Sequence, residues 1–256
     1  MMTIAEVGKF FDQLLRLEKF AHDFSNNGLQ ACFDARRACR KIAFAVDASQ
    51  RSIDQAIAMQ ADLLVVHHGL SWGDDPRRLN GMAGRRFGSM FKGDLALYAV
   101  HLPLDAHEIY GNNATLADLV NLEQRQMFFA YHGMEIGITG QCPAAIPLQE
   151  LAQMAAIGKD YTVYAAPQAG QLVRKAAIIS GGGGMDGLTA AIEAGADVLI
   201  TGEFGHSMYH IVQENFTHVI ALGHYNSEVH GVHNLLKIAE KELNIPGYFL
   251  DIPTGL

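Results

Sequence analysis

Two adjacent histidines, His67 and His68, end a short apolar run and place two imidazoles at one point of the chain. Neighbouring side chains on a strand point to opposite faces, so both rings can reach one centre only where the strand stops and the backbone turns. We expect Gly69 to supply that turn. Because imidazole nitrogen is the commonest metal ligand in proteins, the chemistry predicted here is metal binding.

Two further apolar segments each end in a histidine, and a carboxylate follows each histidine four residues later. They are His101 with Asp105, and His224 with Glu228. The carboxyl ends of strands are where ligands bind in an open α/β sheet, so three such ends indicate one convergent site. The predicted metal ligands are His67, His68, Asp105, His224 and Glu228.

The mixture of imidazole and carboxylate ligands favours a transition ion over Ca²⁺ or Mg²⁺. The sequence does not choose among Zn²⁺, Mn²⁺, Fe²⁺, Co²⁺ and Ni²⁺. Five or six ligands exceed the needs of one tetrahedral site, so two ions ~3.5–4 Å apart are predicted. The three cysteines have no CxxC spacing and predict neither a disulfide framework nor a thiolate zinc site.

His101 has two open roles. It binds metal directly, as its counterpart His224 is expected to, or it stands behind the ligands and orients one of them or moves a proton. We favour the second role and take His101 as the candidate catalytic residue. Glu203 and His206 are the expected additional residues of the pocket.

The elements that must position these residues follow from hydrophobic periodicity. A capping box at Thr3 and Glu6 predicts an amphipathic helix over residues 4–20. Strands are predicted at 42–46 and 63–66, with a helix at 52–60 between them. This alternation is typical of parallel strands joined by right-handed crossovers.

The strand and helix pattern occurs twice along the chain. Ala56–Val66 aligns without a gap with Ala191–Thr201, and the segment from Lys41 aligns with that from Lys175. We therefore predict two similar, mostly parallel α/β lobes related by internal duplication, with the metal site in the cleft between them. The expected lobes are residues 1–124 and 125–256, the last helix packing back on the first lobe.

Composition and local motifs limit the ligands that the protein is expected to bind and its expected location. The 256 residues carry a net charge of −8, which argues against a broad nucleic-acid surface. No signal pattern or membrane-spanning apolar stretch is present, so the cytoplasm is the expected location.

The glycine run 181–184 predicts a tight turn, with anion binding as a secondary use, rather than a dinucleotide site. The best local anion candidates are Arg77, Arg78, Arg85, Arg86 and Lys92.

Five motifs in order give the chain a family resemblance. They are Asp23–Gln30, the strand ending in His67-His68-Gly, His101-x-x-x-Asp105, Thr201-Gly-Glu203 and Gly223-His-Tyr-x-Ser-Glu228. Together they resemble the NIF-three-like dinuclear metal-centre family, also described as GTP cyclohydrolase type-two-like proteins, from about residue 4 to 250. The resemblance implies the short form without an inserted domain, a two-metal site on the five ligands with Glu228 as the bridge, and a ring-shaped homohexamer.

The function predicted from these features is that of a metal-dependent hydrolase. Two ions would lower the pKa of a bridging water toward ~7 and present hydroxide to a small-molecule substrate. A nucleotide is one candidate, as the cyclohydrolase label implies. The alternative is a non-catalytic, metal-stabilised hexameric scaffold that binds a partner protein.

Overall fold

The computed structural model describes all 256 residues, Met1–Leu256. It contains nine α-helices: α1 Ile4–Leu14, α2 Gln50–Ala58, α3 Gly81–Lys92, α4 Leu102–Ala106, α5 Asn112–Leu119, α6 Leu148–Ala156, α7 Gly184–Glu193, α8 Tyr209–Glu214 and α9 His224–Ile238. It contains eleven strands: β1 Gly28–Ala31, β2 Ile42–Asp47, β3 Leu63–His68, β4 Ala96–Ala99, β5 Glu123–Tyr131, β6 Met134–Pro147, β7 Thr162–Tyr164, β8 Leu172–Ile179, β9 Val198–Thr201, β10 His218–Ala221 and β11 Gly247–Phe249. Short 3₁₀ turns cover Leu17–Phe20 and His206–Met208, and a π-helical turn covers Ala239–Leu243.

The chain forms two compact units. The first comprises Met1–Leu104 with Gly231–Ile252, and the second comprises Asp105–His230 with Pro253–Leu256. The division therefore lies at 104/105 rather than near residue 124. The stretch that was expected to link the lobes forms strands β5 and β6 of the second unit. Pro143 falls where the pairing of β6 with β8 is interrupted, between Gln141 and Ile146, so it removes no regular ladder bond, and Pro147 is the last residue of β6, opposite Leu172.

The first unit is built on a five-stranded sheet in the order β1-β4-β3-β2-β11. Strands β11, β2, β3 and β4 pair in parallel, and β1 pairs antiparallel with β4 at the edge. The central strands β2 and β3 are buried along nearly their whole length. Continuous apolar strands of this kind are typical of a parallel sheet covered on both faces.

Helix α1 begins with the predicted capping box. The Glu6 backbone N–H donates to Thr3 Oγ1 at 3.2 Å, and the Thr3 N–H donates to Glu6 Oε2 at 2.7 Å. The helix ends at Leu14 rather than at residue 20, because Arg16 adopts a left-handed conformation with φ of 53° before the 3₁₀ turn. The strands predicted at 42–46 and 63–66 and the helix between them are present, each with slightly different ends.

The second unit contains a six-stranded sheet in the order β5-β6-β8-β9-β10-β7. Its middle strands β8, β9 and β10 are parallel, and the outer pairings are antiparallel. The succession β8-α7-β9 repeats the succession β2-α2-β3 of the first unit. The predicted mostly parallel α/β architecture is confirmed, and the repeated succession is what an internal duplication would produce. None of the helices combines the length and the apolar character that crossing a membrane requires.

Candidate metal centre

The end of strand β3 carries the tandem histidines of the first unit. His67 is fully buried, and its Nδ1 donates to the carbonyl of Val100 at 2.9 Å. His68 turns toward the other neighbouring strand, where its Nδ1 donates to Asp47 Oδ1 at 2.8 Å. The two ring centroids are 4.5 Å apart. The strand end therefore brings both imidazoles together, as the sequence predicted.

Gly69 is required for a reason that the sequence did not predict. Its backbone lies outside the left-handed region, so the turn does not use the freedom of glycine to adopt a positive φ. A Cβ at this position would lie 2.3 Å from Gln30 Oε1 and 2.5 Å from the Cβ of Ala99. Gln30 Oε1 accepts from the backbone N–H groups of Leu70 and Ser71 at 2.8 and 3.1 Å. Gly69 thus lets a turn held by Gln30 pass close to strand β4.

His101 joins the tandem pair. Its ring centroid is 5.2 Å from that of His67 and 5.7 Å from that of His68, and each histidine offers a nitrogen within 4.8 Å of the others. His101 Nδ1 donates to Asp23 Oδ1 at 2.9 Å, and its backbone N–H donates to Asn27 Oδ1 at 2.8 Å. Burial alone would raise the pKa of Asp23. The hydrogen bond and the charge of His101 lower it more, together with the hydrogen bonds from Asn27 and Ser25, so the pKa of Asp23 is lowered overall. Asp23 therefore stays ionised and fixes the ring.

The second unit presents His224 at the start of α9, with Glu228 one turn later. His224 Nε2 lies 3.2 Å from Glu228 Oε2, and His224 Nδ1 donates to Glu203 Oε1 at 2.7 Å. The hydrogen bond to Glu228 raises the pKa of His224 to about 9, although burial opposes it and Glu203 adds a smaller effect in the same direction. Without a cation this imidazole is held in its charged form by the two carboxylates.

Asp105 is the second buried carboxylate of this unit. Its Oδ1 accepts from Asn112 Nδ2 at 2.9 Å and from Ser180 Oγ at 2.8 Å. Asp105 and Glu228 each offer an oxygen within 4.8 Å of the other. Two buried carboxylates this close repel each other, and a cation between their oxygens would relieve that repulsion.

The glycine turn after β8 approaches the same carboxylates. Gly181 has a φ of +62°, and a Cβ there would lie 2.1 Å from Glu228 Oε1. A Cβ on Gly182 would lie 3.3 Å from Glu203 Oε2. The predicted tight turn between a strand and a helix is present. However, the nearby negative charge of Glu203 and Glu228 opposes the anion binding that we gave it as a secondary use.

The donor groups fit a divalent transition ion. In each of the four histidines Nδ1 donates to a carbonyl or carboxylate oxygen, so Nε2 is the nitrogen that would ligate a metal, in His224 once a cation displaces its second proton. This is the arrangement found behind metal-ligating imidazoles, where the outer partner fixes both tautomer and ring orientation. The pairs are His67 with Val100, His68 with Asp47, His101 with Asp23, and His224 with Glu203.

Other residues that the sequence singled out have mixed outcomes. Glu203 contacts His224 as described, whereas His206 is exposed on its 3₁₀ turn and belongs to none of the ligand clusters. Sequence reasoning did not single out the orienting groups Asp47 and Ser180, and it quoted Asp23 within a family motif without assigning it a role. One available signal was the position of Asp47, which ends strand β2 and pairs in register with His68.

The basic segment after β3 is not part of these clusters. Arg77 pairs with the exposed Asp74. Arg85 and Lys92 line a surface cavity of about 670 Å³, and the carboxylate of Asp54 lines it as well. The segment gives no specific indication of an anion site.

Fold and side chains together define an α/β protein with candidate divalent-metal ligands among the residues of each of its two units. Comparison with known proteins agrees with the resemblance noted in the sequence: the chain belongs to the Duf34/NIF3 (NGG1p interacting factor 3) family, which matches residues 2–253.

Individual relatives cover the full chain. A protein of Archaeoglobus fulgidus named GTP cyclohydrolase 1 type 2 homolog is 41% identical over 100% of both chains. A protein of the same name from Pyrococcus horikoshii is 39% identical over 98% of both. The crystal structure of a protein from Thermus thermophilus superposes with a TM-score of 0.87 at 35% identity and covers 100% of both chains. These similarities extend the family assignment to the whole fold.

Proposed function

We propose that the protein is a dinuclear, divalent-metal-dependent hydrolase. In this proposal the metal ligands are His67, His68, Asp105, His224 and Glu228. Family membership and the groups of candidate ligands among these residues support it. The donor set favours Fe, Zn, Mn, Co or Ni, and we expect two such ions per subunit.

The observation that carries the proposal is the orientation of the imidazoles. A histidine kept for packing needs no acceptor on Nδ1 in particular, yet all four histidines of these clusters have one. Three of the acceptors are carboxylates, which raise the basicity of the opposite nitrogen and so strengthen a metal bond. Asp105 is oriented in the same way by Asn112 and Ser180.

The residues around the ligands have separate proposed roles in proton transfer, ligand orientation and enclosure of the site. Divalent cations bound here would supply Lewis acidity and lower the pKa of water. We propose that His101 moves a proton, because the ionised Asp23 behind it stabilises the charged imidazolium and keeps the ring in place. The carboxylate of Glu203 holds the ring of His224, and Trp72 covers one side of the histidines with its centroid 5.0 Å from that of His101.

The substrate class is a small molecule with a hydrolysable bond. GTP is the first compound to assay, since the relatives are named GTP cyclohydrolase 1 type 2 homologs. Other nucleotides, phosphodiesters and cyclic amides follow. Turnover by metal-loaded protein should disappear in His68→Ala and persist in His206→Ala, which alters an exposed histidine outside the clusters. Absence of turnover on every class, with metal bound, would contradict the hydrolase and leave the scaffold alternative.

We also propose a homohexameric ring located in the cytoplasm. The ring is what the family resemblance implies. Light scattering of the purified protein should give six times the subunit mass of 27.9 kDa, and a monomer at micromolar concentration would contradict the ring.

A further inference from the structure

The chain contains two asparagines that are followed directly by glycine, Asn27 before Gly28 and Asn80 before Gly81. An Asn-Gly pair can react with itself, because glycine has no side chain to shield its backbone nitrogen from the neighbouring amide carbon. The reaction needs an asparagine side chain that is free to turn toward that nitrogen. The two pairs differ in whether the fold leaves them this freedom.

The amide of Asn27 is held at both ends. Its Nδ2 donates to Asp23 Oδ2 at 2.8 Å, and its Oδ1 accepts from the backbone N–H of His101 at 2.8 Å. Because Asp23 is ionised, the first of these is a hydrogen bond to a charged group, which is about twice as strong as a neutral one. Gly28 is buried. The amide carbon of Asn27 can therefore reach the Gly28 nitrogen only after both hydrogen bonds break.

The amide of Asn80 has no such restraint. Asn80 and Gly81 are both exposed, and the Asn80 side chain makes no hydrogen bond to the first turn of α3, although it occupies the N-cap position. The backbone N–H of Gly81 begins the helix, where the first amide groups have no helical carbonyl to bind. A Cβ on Gly81 would meet nothing within 4 Å, so the space beside this backbone segment is open. The amide and the nitrogen that would attack it are thus both unhindered.

We propose that Asn80 is a site of spontaneous deamidation in the folded protein, whereas the hydrogen bonds that hold Asn27 beside His101 protect it. In the first step the Gly81 backbone nitrogen attacks Asn80 Cγ. A new C–N bond forms, the Cγ–Nδ2 bond breaks, and ammonia leaves with the proton of the backbone nitrogen. Water then opens the cyclic imide at one of its two carbonyl carbons. Cleavage at Cγ gives aspartate, and cleavage at the backbone carbonyl carbon of residue 80 gives isoaspartate.

Either product changes the start of helix α3. The new carboxylate adds one negative charge to a chain whose net charge is −8. Aspartate at the N-cap is as favourable as asparagine, and its charge lies at the positive end of the helix dipole. In isoaspartate the main chain runs through Cγ, so the carbonyl that accepts from the Gly84 N–H at 3.0 Å leaves the backbone. One product therefore keeps the helix start, and the other disturbs it.

The test is peptide mapping by mass spectrometry of full-length protein that has been kept in mildly alkaline buffer. Trypsin cleaves after Arg78 and Arg85, so Asn80 is the only asparagine of its peptide, and fragment ions separate Asn26 from Asn27 in the other peptide. We expect folded protein to convert Asn80 at least about tenfold faster than Asn27, because breaking a hydrogen bond to a charged group costs that factor or more. Protein unfolded in urea is the matched control. There neither amide is held, so the two rates should be comparable.

A variant separates this site from other sources of negative charge. Asn80→Ser keeps a good N-cap residue but removes the amide, so the acidic form that builds up in the native protein on ion exchange should be absent from the variant. These readouts require neither metal uptake nor turnover, so they are independent of the proposed hydrolase function. An intact Asn80 in folded protein after the urea sample has been converted would overturn the proposal. The same ratio of rates in folded and unfolded protein, or an equal acidic fraction in Asn80→Ser, would overturn it as well.

Discussion

Replacement of Gly181 by alanine perturbs the proposed metal site without removing a ligand. The added Cβ would stand 2.1 Å from Glu228 Oε1, so that oxygen must recede by about 1.3 Å to reach the 3.4 Å of an ordinary contact. Glu228 is buried and lies one helical turn from His224. Its carboxylate therefore has little room to move without losing its place among the ligands.

The same loop offers a control for the backbone effect. Gly181 and Gly184 have φ values of +62° and +58°, and a Cβ at Gly184 meets nothing within 4 Å. Alanine costs about 1–2 kcal/mol of stability at either position, because both are left-handed. That strain is present with and without metal, so it largely cancels from the metal affinity. A Cβ at Gly181 would also lie 3.2 Å from His224 Nε2, so the difference between the two variants measures the displacement of Glu228 and any smaller shift of His224.

We expect Gly181→Ala to bind divalent metal at least about tenfold more weakly than the native protein, the lower end of what disturbing a ligand's support costs. Tenfold corresponds to about 1.4 kcal/mol. Gly184→Ala should bind as the native protein does. Competition with a chromophoric chelator gives the affinities, and urea unfolding gives the stabilities. Equal affinities in the two alanine variants would refute the assignment of Glu228 as a ligand.

Three further predictions follow from other contacts. Asp23→Asn keeps an acceptor for His101 but removes the charge behind its ring, so turnover by metal-loaded protein should fall by about tenfold while metal uptake is unchanged; turnover equal to that of the exposed-site control Asp74→Asn would contradict this. Emission from Trp72 should change in step with metal uptake, because its ring centroid is 6.2 Å from that of the proposed ligand His68; uptake without any change would contradict metal binding at His68. Burial raises the pKa of Asp12, so the folded state disfavours its ionised form and loses stability as pH rises above the usual 3.8. The Asp12→Asn variant can still accept from the Tyr98 hydroxyl, so it should be more stable than the native protein in urea at pH 7. The gain in unfolding free energy should be less than about 1 kcal/mol, because the group is partly exposed, and it should shrink toward pH 4. A native protein that is more stable than the variant at pH 7 would contradict this prediction.

The sequence predicted those parts of the site that depend on local pattern. Apolar runs ending in histidine mark strand ends, and His-x-x-x-carboxylate spacing places two donors one helical turn apart, as His224 and Glu228 are in α9. The capping box at Thr3 was readable for the same reason, since both partners lie within one turn. Local spacing carries enough information for these features.

Contacts between distant segments could not be read in this way. Asp23 lies 78 residues from His101, and Ser180 lies 75 residues from Asp105. The orienting role of either residue shows only when the fold brings the distant segments together. Gly69 was correctly singled out, but for conformational freedom rather than for the approach of Gln30 and Ala99. The unit boundary was misplaced because prolines in an interrupted strand resemble a linker.

The most direct test of the metal site is anomalous diffraction from crystals of protein that was never exposed to a chelator, recorded above and below the absorption edges of Mn, Fe, Co, Ni and Zn. We predict two anomalous peaks per subunit, with ligand atoms from His67, His68, Asp105, His224 and Glu228. Peaks held by other residues, or no peak in protein saturated with these ions, would contradict the account.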